Sequence, residues 1–272
     1  MAPIIHFRDI TVDYGYGPVL QDISLQISEG EHTVILGANG SGKSTLMKLF
    51  SNDLYPSSKK PYIKQLFGEA QWNIWELKKH LGIITSDLHS TFAAQAKRVK
   101  GLDLVISGFH GSLGVFSHIG ISAEQKQKAL QAMGLLEVDS LVETPVQQMS
   151  TGQLRRCVIA RAMVHAPRAL LLDEPTSGLD IKAQREFVTL IRKLSRVMTI
   201  ILITHHIEEI FPEITKAILL KDGRIYKEGN KALMLQSNTL SHIFDTALKI
   251  GHSEGWYWYD KGIYFTDERS LR

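Results

Sequence analysis

The sequence has one cysteine, Cys157, in 272 residues, so no internal disulfide can form and a reducing compartment fits. Nor is there an apolar run approaching 18 residues. The most apolar windows, residues 197–204 and 217–220, are strand-sized, which excludes a membrane-spanning helix. The opening MAPIIHFRDITVDY lacks a basic segment followed by a long apolar run, so it does not read as a secretion signal. Charge of one sign is also scarce in excess. The 31 basic and 28 acidic side chains leave a net +3, too balanced to argue by itself for a nucleic-acid or membrane surface. Internal repeats, low-complexity stretches and heptads are missing too. Hydrophobic content of 44% and charged content of 22% suit a soluble globular protein, as one large domain or two small ones.

The patterns that are present alternate between strand and helix. Ile4, Phe7, Ile10 and Val12, then Leu20, Ile23, Leu25 and Ile27, form strand-like segments separated by residues 15–18. A buried strand is expected at Thr33-Val34-Ile35-Leu36, ending in glycine, and a helix follows at residues 44–51. Residues 87–148 contain no strong strand run and read as a mostly helical insertion. Further strands are expected at 169–173, 198–204, 215–221 and 224–228, and an amphipathic helix at 181–196. Asp222-Gly223 favours a tight hairpin turn between the last two strands. Strands alternating with helices imply a mostly parallel α/β sheet.

Two segments carry chemistry. Gly37-Ala38-Asn39-Gly40-Ser41-Gly42-Lys43-Ser44 fits G-x-x-x-x-G-K-[ST] in full, after a strand and opening a helix. Its glycines let successive backbone N–H groups curl around phosphates, with the helix N-terminus adding partial positive charge. Lys43 would reach the β- and γ-phosphates of ATP, and Ser44 would hold Mg²⁺. Thr45 completes the loop's entry into the helix. Leu170-Leu171-Leu172-Asp173-Glu174 places two acids at the carboxyl end of a buried strand. Asp173 suits a Mg²⁺ ligand acting through water, and Glu174 suits polarisation of the attacking water.

Between these segments, Met149-Ser150-Thr151-Gly152-Gln153 resembles the LSGGQ signature of ATP-binding cassette (ABC) ATPases. The stretch from Glu174-Pro175-Thr176-Ser177-Gly178-Leu179 to Asp180 is similar to that family's run into its D-loop. Ile203-Thr204-His205-His206 is similar to its switch-histidine segment. The motifs stand in the family's order and cover most of residues 4–230. The resemblance implies a RecA-like P-loop NTPase core with an N-terminal antiparallel β subdomain and an inserted helical subdomain at about 87–160. Residues 1–240 would form this one domain and 241–272 a C-terminal extension.

It also implies that Ser150, Gly152 and Gln153 face a γ-phosphate held by a second subunit, so that ATP joins two cassettes as a homodimer or with a related subunit. His205 would contact the γ-phosphate and position Glu174. Asp180 would communicate across the dimer, and Tyr14, with Tyr16 as the fallback, would stack on adenine. Two departures stand out. Thr151 replaces a glycine of the signature, and Ser86 occupies the place of the family's metal-binding glutamine. Ile74-Trp75-Glu76-Leu77-Lys78, Thr85-Ser86 and Val105-Ile106-Ser107-Gly108-Phe109 resemble, more loosely, the molybdate-transport-associated and photorepair-type ATPases.

The remaining features have plainer readings. Lys97, Arg98 and Lys100 read as a solvated helix face; Phe109, Val115 and Phe116 as core rather than a partner groove; Cys157 as a small buried hydrophobe. A metal site at His205-His206 with Glu208-Glu209 is rejected because neighbouring strand residues point to opposite faces. Trp256-Tyr257-Trp258-Tyr259 fits either an interaction patch or a strand packed on the body. The function expected is ATP hydrolysis driving a transporter, an importer in the leading reading, through a separate transmembrane permease. The competing reading is a soluble regulatory ATPase acting on a macromolecular complex. The expected location is the cytoplasm, peripheral on the inner membrane face where a partner holds it, and no direct nucleic-acid binding is expected.

Overall fold

The computed structural model describes residues 3–114 and 120–260. Its strands are β1 (Pro3–Asp13), β2 (Pro18–Ser28), β3 (Thr33–Leu36), β4 (Ile63–Leu66), β5 (Leu81–Ile84), β6 (Ala169–Asp173), β7 (Thr199–Thr204), β8 (Lys216–Lys221), β9 (Arg224–Asn230), β10 (Ile250–Ser253) and β11 (Trp256–Tyr259). Its helices are α1 (Lys43–Phe50), α2 (Ile74–His80), α3 (Ser86–Gln95), α4 (Gly101–Ile106), α5 (Ala123–Leu135), α6 (Thr151–Met163), α7 (Ile181–Leu194), α8 (Lys231–Met234) and α9 (Ser237–Phe244).

A six-stranded sheet in the order β5-β6-β7-β3-β8-β9 forms the centre, parallel except for the last strand. Its core strands are buried and mostly apolar, as expected where both faces are covered, with Thr33, Thr199 and Thr204 the buried exceptions in β3 and β7. Val34, Leu36, Leu170, Leu172, Ile200 and Leu202 turn towards a core shared with α6 and α7. The alternate residues Ile35, Leu171, Ile201 and Ile203 turn towards a second core shared with α1 and the antiparallel sheet β2-β1-β4. The helices α3 to α6 form the inserted subdomain, with Leu104, Ala129, Met133 and Val158 buried among them. Lys97, Arg98 and Lys100 are exposed as expected, but they lie in the turn between α3 and α4 rather than on a helix face, and Lys100 pairs with Glu143 at 2.6 Å. Phe109 packs on the core with its ring edge-on to His165. Val115 and Phe116 lie outside the described residues.

Several details depart from the pattern. The three-residue spacing of Phe7 and Ile10 comes from a bulge in β1, where Asp9 sits at φ 54° and the register to β2 shifts. The turn at Asp222 and Gly223, at φ 49° and 71°, gives the positive angles that a two-residue hairpin needs. Strands β4 and β5 are not evident in the hydrophobic periodicity: Lys64-Gln65 breaks the first and Gly82 the second, whereas β3 keeps the unbroken apolar run Val34-Ile35-Leu36. The aromatic tail segment resolves in favour of packing. Strands β10 and β11 pair as a hairpin, Tyr257 is buried in the same core as α7, and Lys231 Nζ donates to Gly255 O at 3.1 Å. Helix α9 runs through position 240, where the sequence suggested an extension begins.

Candidate functional site

Parallel pairing brings the carboxyl ends of three strands to one level: Leu36 lies beside Thr204, and Asp173 beside Ile203. The phosphate loop leaves β3 at this level and enters α1 at Lys43. Only glycine fits at two of its positions. A Cβ on Gly37 would lie 2.4 Å from Leu220 O, and one on Gly42, which has φ 104°, would lie 2.7 Å from Leu20 Cδ2. Lys43 is buried and donates from Nζ to Gly37 O at 2.9 Å and Ala38 O at 3.0 Å. Ser41 Oγ is buried with no hydrogen-bond partner in the loop. A buried hydroxyl left unpaired is costly, and a bound phosphate oxygen would satisfy it.

The carboxylates face this loop. Glu174 Oε1 lies 4.0 Å from Lys43 Nζ and 2.7 Å from His205 Nδ1. The backbone of Glu174 is left-handed, at φ 45°, and its N–H donates to Ile203 O at 2.9 Å. For a non-glycine residue that conformation is uncommon and marks a constrained position. Burial, then the neighbouring Glu174, pushes the Asp173 carboxyl up to about 6, with Lys43 opposing the shift. Burial also lowers the Lys43 ammonium, while Glu174 and Asp173 oppose that. Val19, Asn39, Gly40, Gly42, Lys43, Ser44, Thr45, Asp173 and Glu174 line one cavity of about 420 Å³. The exposed hydroxyl of Ser44 and the carboxyl of Asp173 are hard oxygen donors in one cavity, a set that fits Mg²⁺ with waters and phosphates completing the shell.

The signature lies elsewhere. Ser150 caps α6, and its hydroxyl accepts from Gln153 N at 3.2 Å while Gln153 Oε1 accepts from Ser150 N at 2.8 Å. This reciprocal box explains why serine and glutamine stand three residues apart here. Gly152 has open space around it. Asp180 caps α7 by accepting from Ala183 N at 2.8 Å. Ser150, Gly152, Gln153 and Asp180 line a separate cavity of about 490 Å³. Among the described residues, the two linings share none.

Not every expected residue converges. Tyr14 is 48% exposed, in the loop after β1, and does not line the phosphate-loop cavity; Val19 does. Tyr16 is fully exposed. Ser86 begins α3, and its side chain lies outside the described set. Strand alternation is not what excludes a metal site at His205-His206. β7 ends at Thr204, so the alternation does not reach these residues, and their rings lie 3.9 Å apart. Among the described residues no group of three or more His, Cys, Asp or Glu is placed together as a metal-holding set. Arg155, Thr176 and Glu209, all buried beside the site, are not evident as site residues from sequence. The one signal for Arg155 is its position among the core-facing residues Leu154, Cys157 and Val158 of α6.

The family model described as ABC transporter matches residues 20–177. ModF of Escherichia coli (strain K12), an ABC transporter ATP-binding protein, is 32% identical over 233 residues, 83% of this chain and 46% of ModF. The cobalt import ATP-binding protein CbiO of Rhodobacter capsulatus is 31% identical over 240 residues, 86% of this chain and 81% of CbiO. A solved ATP-binding cassette, in a dimeric post-hydrolysis state bound to ADP and Pi, superposes with a TM-score of 0.65. It is 25% identical and covers 83% of this chain and 98% of its own. The chain belongs to the ABC transporter family. It is an ATP-binding subunit of that family, an ABC-type P-loop ATPase. Among the described residues no helix is long and apolar enough to cross a membrane.

Proposed function

We propose that this chain couples ATP hydrolysis to import, working as a nucleotide-sandwich dimer beneath a separate transmembrane permease on the cytoplasmic side. The observation that carries the reading is the division of the site into two cavities. One holds a phosphate-gripping loop with opposed charges; the other offers a capped helix N-terminus. An anion seated on Lys43 of one copy is complemented by the first turn of α6 of another. The importer assignment draws on the likeness to a cobalt import protein. We read residues 1–240 as the ATPase domain and 241–272 as an extension whose described part, the end of α9 and the hairpin of β10 and β11, packs on the same core.

Within the site, Gly37, Asn39, Gly40, Ser41, Gly42 and Thr45 shape the loop that receives the phosphates. Lys43 exchanges its two carbonyl contacts for phosphate oxygens. Ser44 and Asp173 would hold Mg²⁺, which would supply positive charge against the β- and γ-phosphates. Glu174 accepts a hydrogen bond from the attacking water, and His205, hydrogen-bonded to Glu174, holds that carboxylate in line. Ser150, Gly152 and Gln153 meet the γ-phosphate of the opposite copy, Asp180 lies across the dimer, and Tyr14 moves onto the adenine when nucleotide binds. Replacing Glu174 by Gln keeps the shape and removes the base. Turnover is expected to fall by about 10² or more while ATP binding persists. Size measurement with and without MgATP should then show an ATP-bound dimer; a variant that stays monomeric, or that hydrolyses ATP normally, rules the reading out.

A further inference from the structure

Between Glu174 and Asp180 the chain is held by two buried charged side chains that take no part in the chemistry above. Arg155, in the first turns of α6, is 6% exposed. Its Nη1 donates to Pro175 O at 2.5 Å and its Nη2 to Ser177 O at 2.9 Å. Glu209, in the single turn Ile207–Glu209 that follows the switch histidine, is 4% exposed. Its Oε1 accepts from Thr176 N at 3.1 Å and also from the Thr176 hydroxyl. Thr176 is therefore fixed on every polar side: the carbonyls flanking it by the guanidinium, its own N–H and O–H by the carboxyl.

The fit is specific to these groups. A guanidinium offers parallel donors in a rigid fork, which suits two carbonyls two residues apart, whereas an ammonium is a point donor on a flexible stem. Burying charge is costly unless it is hydrogen-bonded: the Arg155 guanidinium and Glu209 Oε1 are paired, while Glu209 Oε2 has no partner and burial pushes that carboxyl above its ordinary value. The clamp also lies in a telling place. Pro175 follows Glu174, whose left-handed backbone needs outside support. Ser177 leads within three residues to Asp180. Arg155 stands five residues from Ser150 on the same helix, so displacement of the helix is felt directly by the strand-end loop. The switch segment is tied in at its other side, where the Tyr259 hydroxyl donates to His205 O at 3.5 Å.

We propose that Arg155 and Glu209 are positioning residues that transmit the location of the signature helix to Glu174 of the same chain. Resting on the dimer reading above, this makes one subunit's hydrolytic carboxylate responsive to the nucleotide its own signature covers in the other subunit. Such a connection has a definite kinetic consequence: occupation of either site organises both, and turnover becomes cooperative in ATP.

The test compares steady-state ATP hydrolysis and calorimetric ATP binding of the full chain with those of Arg155→Lys, Glu209→Ala and Glu209→Gln. Arg155→Lys and Glu209→Ala are expected to lower kcat by about tenfold, the scale of one lost hydrogen bond to a charged group. ATP affinity and KM should stay within about twofold, with the Hill coefficient for ATP falling towards 1. Glu209→Gln, whose amide oxygen accepts the same two bonds, should restore kcat and cooperativity. If either damaging variant does not fold, Thr176→Val, similar in volume and lacking the hydroxyl, reads the same split. Wild-type kcat and Hill coefficient in the variants overturn the coupling while leaving the site reading intact. A parallel loss of kcat and ATP affinity also overturns it, since that marks general damage. A wild-type chain without turnover overturns the site reading itself and this inference with it.

Discussion

The phosphate-loop cavity and the signature cavity solve their polar problems in opposite ways. In the first, a buried ammonium, two carboxylates and a histidine face one another, Asp173 is pushed up to about 6, and Ser41 Oγ has no partner. In the second, Ser150 and Gln153 satisfy each other, Asp180 caps its own helix, and Gly152 borders open space. The first region carries two costs: a phosphate oxygen would satisfy Ser41 Oγ, and a cation would relieve the crowding of Asp173 against Glu174. The second is complete as local structure and still presents the first-turn N–H groups that no helix can satisfy internally. In the proposed dimer, binding power lies on one side and completion of the enclosure on the other.

Breaking the first region should have the larger effect. Lys43→Ala removes charge-assisted hydrogen bonds to phosphate, and MgATP affinity should fall by roughly ten- to a hundredfold in calorimetry. Wild-type affinity would show that the opposed charges are structural only. Ser150→Ala probes the second region. Loss of the cap should lower unfolding stability by about 1 kcal/mol in denaturant titration. ATP should still bind the variant's own loop, but ATP-driven dimerisation in a Glu174→Gln background should weaken. Equal dimerisation with and without Ser150 would separate the signature from the interface. The smallest effect belongs to the buried face of the same helix. Burial pushes the Cys157 thiol up to about 12, so almost no thiolate exists at pH 8. Iodoacetamide should leave the native protein unmodified by mass and label it rapidly once unfolded; fast native labelling would mean that α6 opens on that timescale.

The features legible in the sequence share one property: their geometry is local. The loop from Gly37 to Ser44 names its own turn, anion nest and helix start. The pair Asp173-Glu174 ends a run of four apolar residues, Ala169–Leu172, and Ser150 stands at the start of the helix where its signature resemblance places it. The features hidden in it depend on partners distant in the chain. β5 is a strand because β6 lies beside it, 88 residues later at Leu81 and Ala169. The aromatic run 256–259 suits a patch or a packed strand equally until its pairing with Ile250–Ser253 is known. The same holds for single side chains. Arg155, Thr176 and Glu209 look ordinary in sequence, and their clamp exists only because α6, the strand-end loop and the turn after His205 meet.

The sequence by itself determined the chemistry of each half of the site and the α/β alternation that supports them, because backbone conformation, capping and strand-to-helix turns are set by a few neighbouring residues. Only the tertiary structure decided that Glu174, Lys43 and His205 converge, that Ser150 lies in a different cavity from them, and that a buried arginine and glutamate both bond to the loop between Glu174 and Asp180. Those relations span tens to more than a hundred residues, and burial supplies their energies, which no short stretch of chain can fix alone.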